Sequence, residues 1–394
     1  MIGGLARFLA AAGLLILAGC AVAPSPLAEL SQTLASLPDV KGQDGVGSDP
    51  SRGARPALTT AKHQLRDFLD TALSGADART SDIDADAFAA RLNDQLRTAG
   101  VPPMQMWRQG GALIAVTSFP IICGSDDSIY GWNWNGQAWQ RVIEHEATDY
   151  TPGRYQPEAI DGADSLRFAV AGPDSDAGLH ILVTGLNTGC TSGWQDRRFQ
   201  LYDLDRHSGS AALLVDGEVP AFTNEGDRNA SLTADRMVIE YTGADFDPRK
   251  MPFGTRASVY ALADDKATPV AWAAADAEDF TEQWIAAPWS GSATVSATTN
   301  RSLEGWHHRL HAATMDSKTL GWTSIGDAVR CHGDGRTSQY AITFGRLRPD
   351  TAPADADFID PSTAYFTVRE TAPNTFVMAN IAGTPNQDCP AVGR

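Results

Sequence analysis

Lysine is scarce. Lys41, Lys62, Lys250, Lys266 and Lys318 are the only five in 394 residues, and the formal net charge is −17. With so little positive charge there is no polybasic patch, which argues against a nucleic-acid groove or an electrostatic hold on an anionic membrane. Nucleotide signatures are also missing: no G-x-x-x-x-G-K-[ST] occurs, and no G-x-G-x-x-G leads into a helix. There is no S-x-x-K. The five cysteines stand far apart, with no C-x2-4-C pair of the kind that structural zinc sites use. No cofactor is implied.

What is present begins with a signal. One positive charge, Arg7, precedes an apolar run from Phe8 to Ala18. Eleven helical residues span about 16 Å, roughly half of a hydrocarbon core, so the run is a signal-peptide segment and not a membrane-spanning helix. It ends in Leu17-Ala18-Gly19-Cys20, which resembles the lipobox of bacterial lipoproteins. The resemblance covers only the signal. It implies removal of residues 1–19 and a lipid on Cys20, and the membrane is then a partner through that lipid. Two or three acyl chains hold firmly where one is marginal. Ala21 and Val22 follow, without the Asp typical of inner-membrane retention. The resemblance therefore implies the cell envelope, at the outer membrane, facing the periplasm or the surface.

Residues 20–57 are rich in Ala, Pro, Ser, Gly and Asp and read as a flexible tether, with a short helix near 27–36. Residues 58–102 read as a helical pair. Leu58, Leu65, Phe68, Leu69 and Leu73 recur at helical spacing, as do Phe88, Leu92 and Leu96 before the stop signal Gly100. Asp82, Asp84 and Asp86 have the spacing of a calcium loop. Ala87 and Asn93 stand where that loop needs Gly and Glu, so helix capping is the expected role.

From 103 to 394 the texture is β-rich. Stretches 112–119, 180–185 and 236–242 are rich in Val, Ile, Tyr and Thr; 338–345, 364–370 and 375–382 read as closing strands. A strand–turn–strand pattern recurs, marked by Tyr130, Tyr202, Tyr260 and His311, with hairpin turns at Asn135-Gly136 and Ser208-Gly209. The expected fold is mainly β, with β-propeller-like repeats of antiparallel hairpins, and two β-sandwiches are the alternative. A helix is expected over 277–289, where Phe280 and Trp284 are four apart and Pro288 follows. Besides Cys20, four cysteines in an exported chain predict two disulfides. Cys123–Cys190 and Cys331–Cys389 are the favoured pairing, because each joins sequence neighbours.

Candidates for chemistry are weak. The carboxylates Asp126, Asp127, Glu144, Glu146 and Asp149 cluster in sequence, and glycoside hydrolysis needs two carboxylates about 5–9.5 Å apart. Asp126 has a simpler role available, in the turn after Cys123. His145-Glu146-Ala147-Thr148-Asp149 is one residue short of a zincin motif and reads as extended. Gly189-Cys190-Thr191-Ser192-Gly193 displaces the Ser of a nucleophile elbow by one position. His307, His308 and His311 form the densest histidine group, and the repeat places them on a strand where a metal site is disfavoured. The expectation is a membrane-anchored envelope lipoprotein, a non-catalytic binding or scaffold module with a protein or glycan partner. The alternative is an envelope glycan hydrolase using paired carboxylates.

Overall fold

The computed structural model describes residues 25–36, 55–75, 78–121, 124–146, 151–152, 160–161, 164–172, 179–187, 194–205, 210–222, 230–243, 254–263, 266–315, 319–348 and 357–390. Cys20, Cys123, Cys190, Asp149, the segment 189–193 and the turn Ser208-Gly209 lie outside them.

Three helices come first. α1 (Pro26–Ala35) starts on Ser25, whose side chain accepts from the Ala28 amide, with Pro26 pre-set at the first helical position. Its Leu30 is fully buried, so these residues, within the stretch read as tether, pack into the helical body. α2 (Arg55–Ser74) buries Leu58, Ala61, Leu65, Phe68, Leu69 and Leu73 along one stripe. α3 (Ala85–Thr98) is capped by Asp84, which accepts from the Ala87 amide at 3.0 Å. It ends in a Schellman motif: Gly100 sits at φ +80°, Val101 N–H bonds Leu96 O, and Gly100 N–H bonds Arg97 O.

The rest is mainly β; the described residues form four larger antiparallel sheets of consecutive strands and one two-stranded ladder. The first holds β1 (Gln105–Gln109), β2 (Ala112–Ile121), β3 (Gly124–Trp134) and β4 (Trp139–His145). After the two-residue ladder of β5 (Thr151–Pro152) and β6 (Ile160–Asp161), the second holds β7 (Asp164–Ala171), β8 (Leu179–Asn187), β9 (Trp194–Asp205) and β10 (Ser210–Phe222). The third holds β11 (Ala230–Leu232), β12 (Arg236–Gly243), β13 (Gly254–Ala263) and β14 (Lys266–Pro269). Then come α4 (Ala277–Ala286), α5 (Trp289–Ser292) and α6 (Ser302–Met315). The fourth sheet runs β15 (Leu320–Ser324), β17 (Thr337–Leu347), β18 (Phe358–Ala372) and β19 (Thr375–Ala382), with β16 (Val329–Arg330) also on β17. Among the described residues, no helix is long and apolar enough to cross a membrane.

The first three sheets share cores. Ile114, Ile129 and Ile143 of the first pack with Ile181, Val183 and Leu204 of the second. Leu182, Phe199 and Leu201 of the second pack with Met237, Ile239 and Leu262 of the third. β8 therefore buries Ile181 and Val183 on one face and Leu182 on the other, which explains its unbroken apolar run. The outer face of the first sheet is covered by the first three helices, through Leu113, Ala115, Tyr130 and Trp132. α4–α6 cover a face of the fourth, where Phe280, Trp284 and Leu310 meet Tyr340, Phe366 and Met378.

Tyr130, Tyr202 and Tyr260 stand on β3, β9 and β13, the third strand of three successive sheets. The fourth marker was misplaced. His311 lies in α6, and the third strand of the fourth sheet is β18. Its hairpin with β19 turns at Pro373-Asn374, where Asn374 tolerates φ +58°. The segment from His308 is helical because Leu303, His307, Leu310 and Ala313 make one buried face. α4 stops at Ala286, and Ala287, before Pro288, is extended. Cys331 and Cys389 form a disulfide, beside hydrogen bonds from His332 N–H to Asp388 O and from Asn386 N–H to Gln339 Oε1.

Candidate functional site

The described carboxylates singled out in 126–146 do not gather at one point. Successive residues of a strand point to opposite faces, so Asp126 and Asp127 part company on β3. Asp126 turns to α2, where it bonds Lys62 Nζ at 2.7 Å with both side chains fully buried. Asp127 turns to the second sheet and accepts from the Leu166 amide at 3.0 Å. Two carboxylates on opposite faces of one sheet cannot flank a glycosidic bond.

Glu144 and Glu146 face α2, and Arg66 Nη1 bonds them at 2.8 and 3.1 Å. Glu146 is a buried hub: it also takes the Tyr130 hydroxyl at 2.5 Å and meets His63 Nε2 at 3.1 Å. Burial, and then the neighbouring Glu146 carboxylate, hold the Tyr130 hydroxyl well above the usual phenol range. Arg141 pairs with Glu144 and with Asp70, and Asp70 also accepts from Trp132 Nε1 at 2.7 Å. The whole set is an ionic seam that fixes α2 on the first sheet. His145 lies on β4, extended as expected, with Nδ1 3.3 Å from Gln200 Oε1. Burial lowers its basicity below the usual histidine range.

The histidine group is likewise absorbed. His307 is fully buried, and its Nε2 donates to Trp284 O and Ala287 O at 3.1 and 3.0 Å. His311 Nδ1 donates to Ile285 O at 2.8 Å. These are carbonyls of the end of α4, which lack partners inside their own helix. His308 is exposed and 6.4 Å ring to ring from Trp289. Among the described residues, no group of three His, Cys, Asp or Glu is placed to hold a metal ion.

Among the described residues, a cleft lies elsewhere. A cavity of about 530 Å³ opens between the start of β13, the first turns of α4 and the fourth sheet. Arg256 crosses its floor and bonds Asp279 Oδ1 at 2.6 Å and Glu282 through its other terminal nitrogen. Gly243 makes room for this, since a Cβ there would overlap the Arg256 stem. Burial would lower the guanidinium's affinity for its proton, but the Glu282 and Asp279 carboxylates outweigh that and keep it firmly charged. Burial raises the Asp279 carboxyl above its usual range against the pull of Arg256. Asp279 also accepts from the Ala275 amide at 2.8 Å and from Gln283. Asp276 caps α4 through the Glu278 and Asp279 amides, and Glu278 takes the Tyr340 hydroxyl. Asp327, Glu370 and Arg330 complete the rim.

Carboxylates outnumber arginines in this lining six to two, so the cleft suits neutral or positively charged polar groups better than anions. The sequence reading saw only the aromatic stripe of α4. The missed signal was the second spacing in that segment: Asp276, Asp279 and Glu282 recur every three residues on the side away from Trp284.

No protein-family model matches the chain, and no curated protein matches it. A solved structure described as a glycoside hydrolase is similar over 70% of this chain and 72% of that one, at 9% identity and a TM-score of 0.24. A score that low carries no argument about fold or activity.

Proposed function

We propose that the chain is a lipid-anchored binding module of the bacterial cell envelope, held through Cys20 at the outer membrane. In this reading the four sheets are blades of an open, propeller-like stack. The second sheet supports that over two separate sandwiches, because it packs against both the first and the third. The ligand site is the cleft of Arg256, Asp279 and Glu282, and the partner is a protein or glycan presenting basic or neutral polar groups. One observation carries the non-catalytic reading: every described carboxylate of the 126–146 group is spent on holding the fold together, three in the α2 seam and Asp127 on the Leu166 amide.

The hydrolase alternative has one point in its favour, the raised Asp279 carboxyl inside a cleft. Its contacts with Arg256, Gln283 and the Ala275 amide make it a positioning group for Arg256. The test is a photo-crosslinker placed at Asp327 or Glu370 in intact cells. A discrete adduct that disappears in Arg256→Met supports binding. Glycan turnover by the purified chain, abolished by Glu282→Gln, replaces binding with hydrolysis. The anchor is tested by Cys20→Ala, which should leave an unprocessed precursor without lipid; normal maturation would overturn it.

A further inference from the structure

The contact between α4 and α6 has a property that packing alone does not require. Carbonyls at the end of α4 are held by two imidazoles one helical turn apart on α6, and Ser292 Oγ also donates to Trp284 O at 2.8 Å. His307 Nε2 serves Trp284 O and Ala287 O, and His311 Nδ1 serves Ile285 O. The two rings are stacked, with centroids 5.3 Å apart and planes 19° from parallel. Trp284 and Trp289 close on His307 at 4.8 and 5.3 Å. Because Nε2 donates, its proton is fixed there in the neutral ring. Nδ1 then carries the lone pair, and it is buried with no hydrogen-bond partner.

We propose that this histidine pair is an acid-sensitive latch, which holds the end of α4 closed when neutral and releases it when His307 takes up a proton. A second proton on His307 would go to Nδ1, a buried site with no acceptor. The charge would also lie against His311, 5.3 Å away, and His308, 6.1 Å away.

The Ala287 and Trp284 carbonyls draw toward the charged ring, but among the described residues no acidic side chain faces it. α5, β15 and β19 carry no acidic or basic side chain. On α4, Asp279 and Glu282 are turned to Arg256, and Glu278 to Tyr340. β17 contributes that tyrosine and Arg346, which is exposed. On α6 itself Glu304 and Arg309 are exposed, with Arg309 over Trp306. The end of a helix favours a cation, but a fully buried, unpaired charge costs more than that gains. Burial, assisted by His311 and His308, sets His307 below the usual histidine range.

The sign follows. The unfolded chain binds the proton more readily, so this contribution is complete above about pH 6.5 and is lost as pH falls below it. α4 also carries Asp279 and Glu282, so release would reach the cleft. The latch itself does not depend on what the cleft binds.

Amide exchange at the end of α4 tests it on the whole chain, between about pH 7.5 and about pH 5.5, on either side of the ordinary histidine range. With the intrinsic pH dependence divided out, protection over residues 283–287 should fall by about tenfold. His307→Gln keeps an N–H for the carbonyls and takes up no proton, so protection should stay level. His311→Gln is the second variant: the fall should persist but shrink. Unchanged protection in the wild type overturns the latch. So does a full pH dependence in folded His307→Gln. If that variant fails to fold, a full-sized fall in His311→Gln decides against the pair.

Discussion

The two helical caps cover the outer faces of the first and fourth sheets by different means. α2 lies on the first sheet with charges inside the contact: Lys62–Asp126 and the buried Glu146 within it, then Arg66 and Glu144 toward solvent. α4 and α6 lie on the fourth sheet through Phe280, Trp284, Leu310 and Phe376, with backbone carbonyls met by histidine. There the acidic residues of α4 face outward to the cleft. A buried ion pair adds a condition to the packing, because a seat that parts the two charges leaves each of them costly. At the first cap charge lies inside the contact, and at the second it lines the cleft.

Breaking the pair at the first cap should give the largest effect. Lys62→Met or Asp126→Leu alone should cost about 3–5 kcal/mol in urea unfolding, because one buried charge remains. The double substitution should regain most of that. Equal losses in the single and double variants would mean that the charges do not act as a pair. Cys331→Ser should cost about 2–4 kcal/mol, for a loop closed over 58 residues. Its melting should begin in the fourth sheet and leave the first cap intact by amide exchange.

Tyr130→Phe removes the hydroxyl bonded to Glu146 and should cost about 1–3 kcal/mol near neutral pH. The sign with pH is opposite to that of the histidine latch. Folding raises the Tyr130 hydroxyl above its usual value, so its contribution is complete below about pH 10 and drains away above it. The variant should therefore lose less stability than the wild type on going to high pH. The smallest effects belong to the helix starts, at about 1 kcal/mol each. Asp276→Ala, which frees two amides, should exceed Asp84→Ala, which frees one.

What was legible in the sequence was local. Asn135-Gly136, Gly100 and Asp84 are each decided by a few neighbouring residues, and the helices and hairpin they predict are there. Three of four strand markers fell on equivalent strands for the same reason. His311 failed because His307, taken as polar, is a core residue in the 303–307–310 stripe of α6. The roles of the carboxylates were not legible, because their partners are distant: Lys62 is 64 positions from Asp126, and Asp127 meets Leu166 across two sheets. Arg256 and Glu282, 26 apart, are joined only by the seating of α4 between the third and fourth sheets.

Each sheet is made from strands consecutive in the chain, and this bears on the order of folding. Most backbone pairings close over short stretches, so little chain entropy is lost before each hairpin gains contacts. A sheet can form as soon as its own segment is free, then serve as the surface on which the next one settles, as in repeat proteins. Were the chain exported as we propose, its sheets would assemble in the order in which their segments arrive. The first cap would be seated on β3 before the cleft-forming strands had arrived.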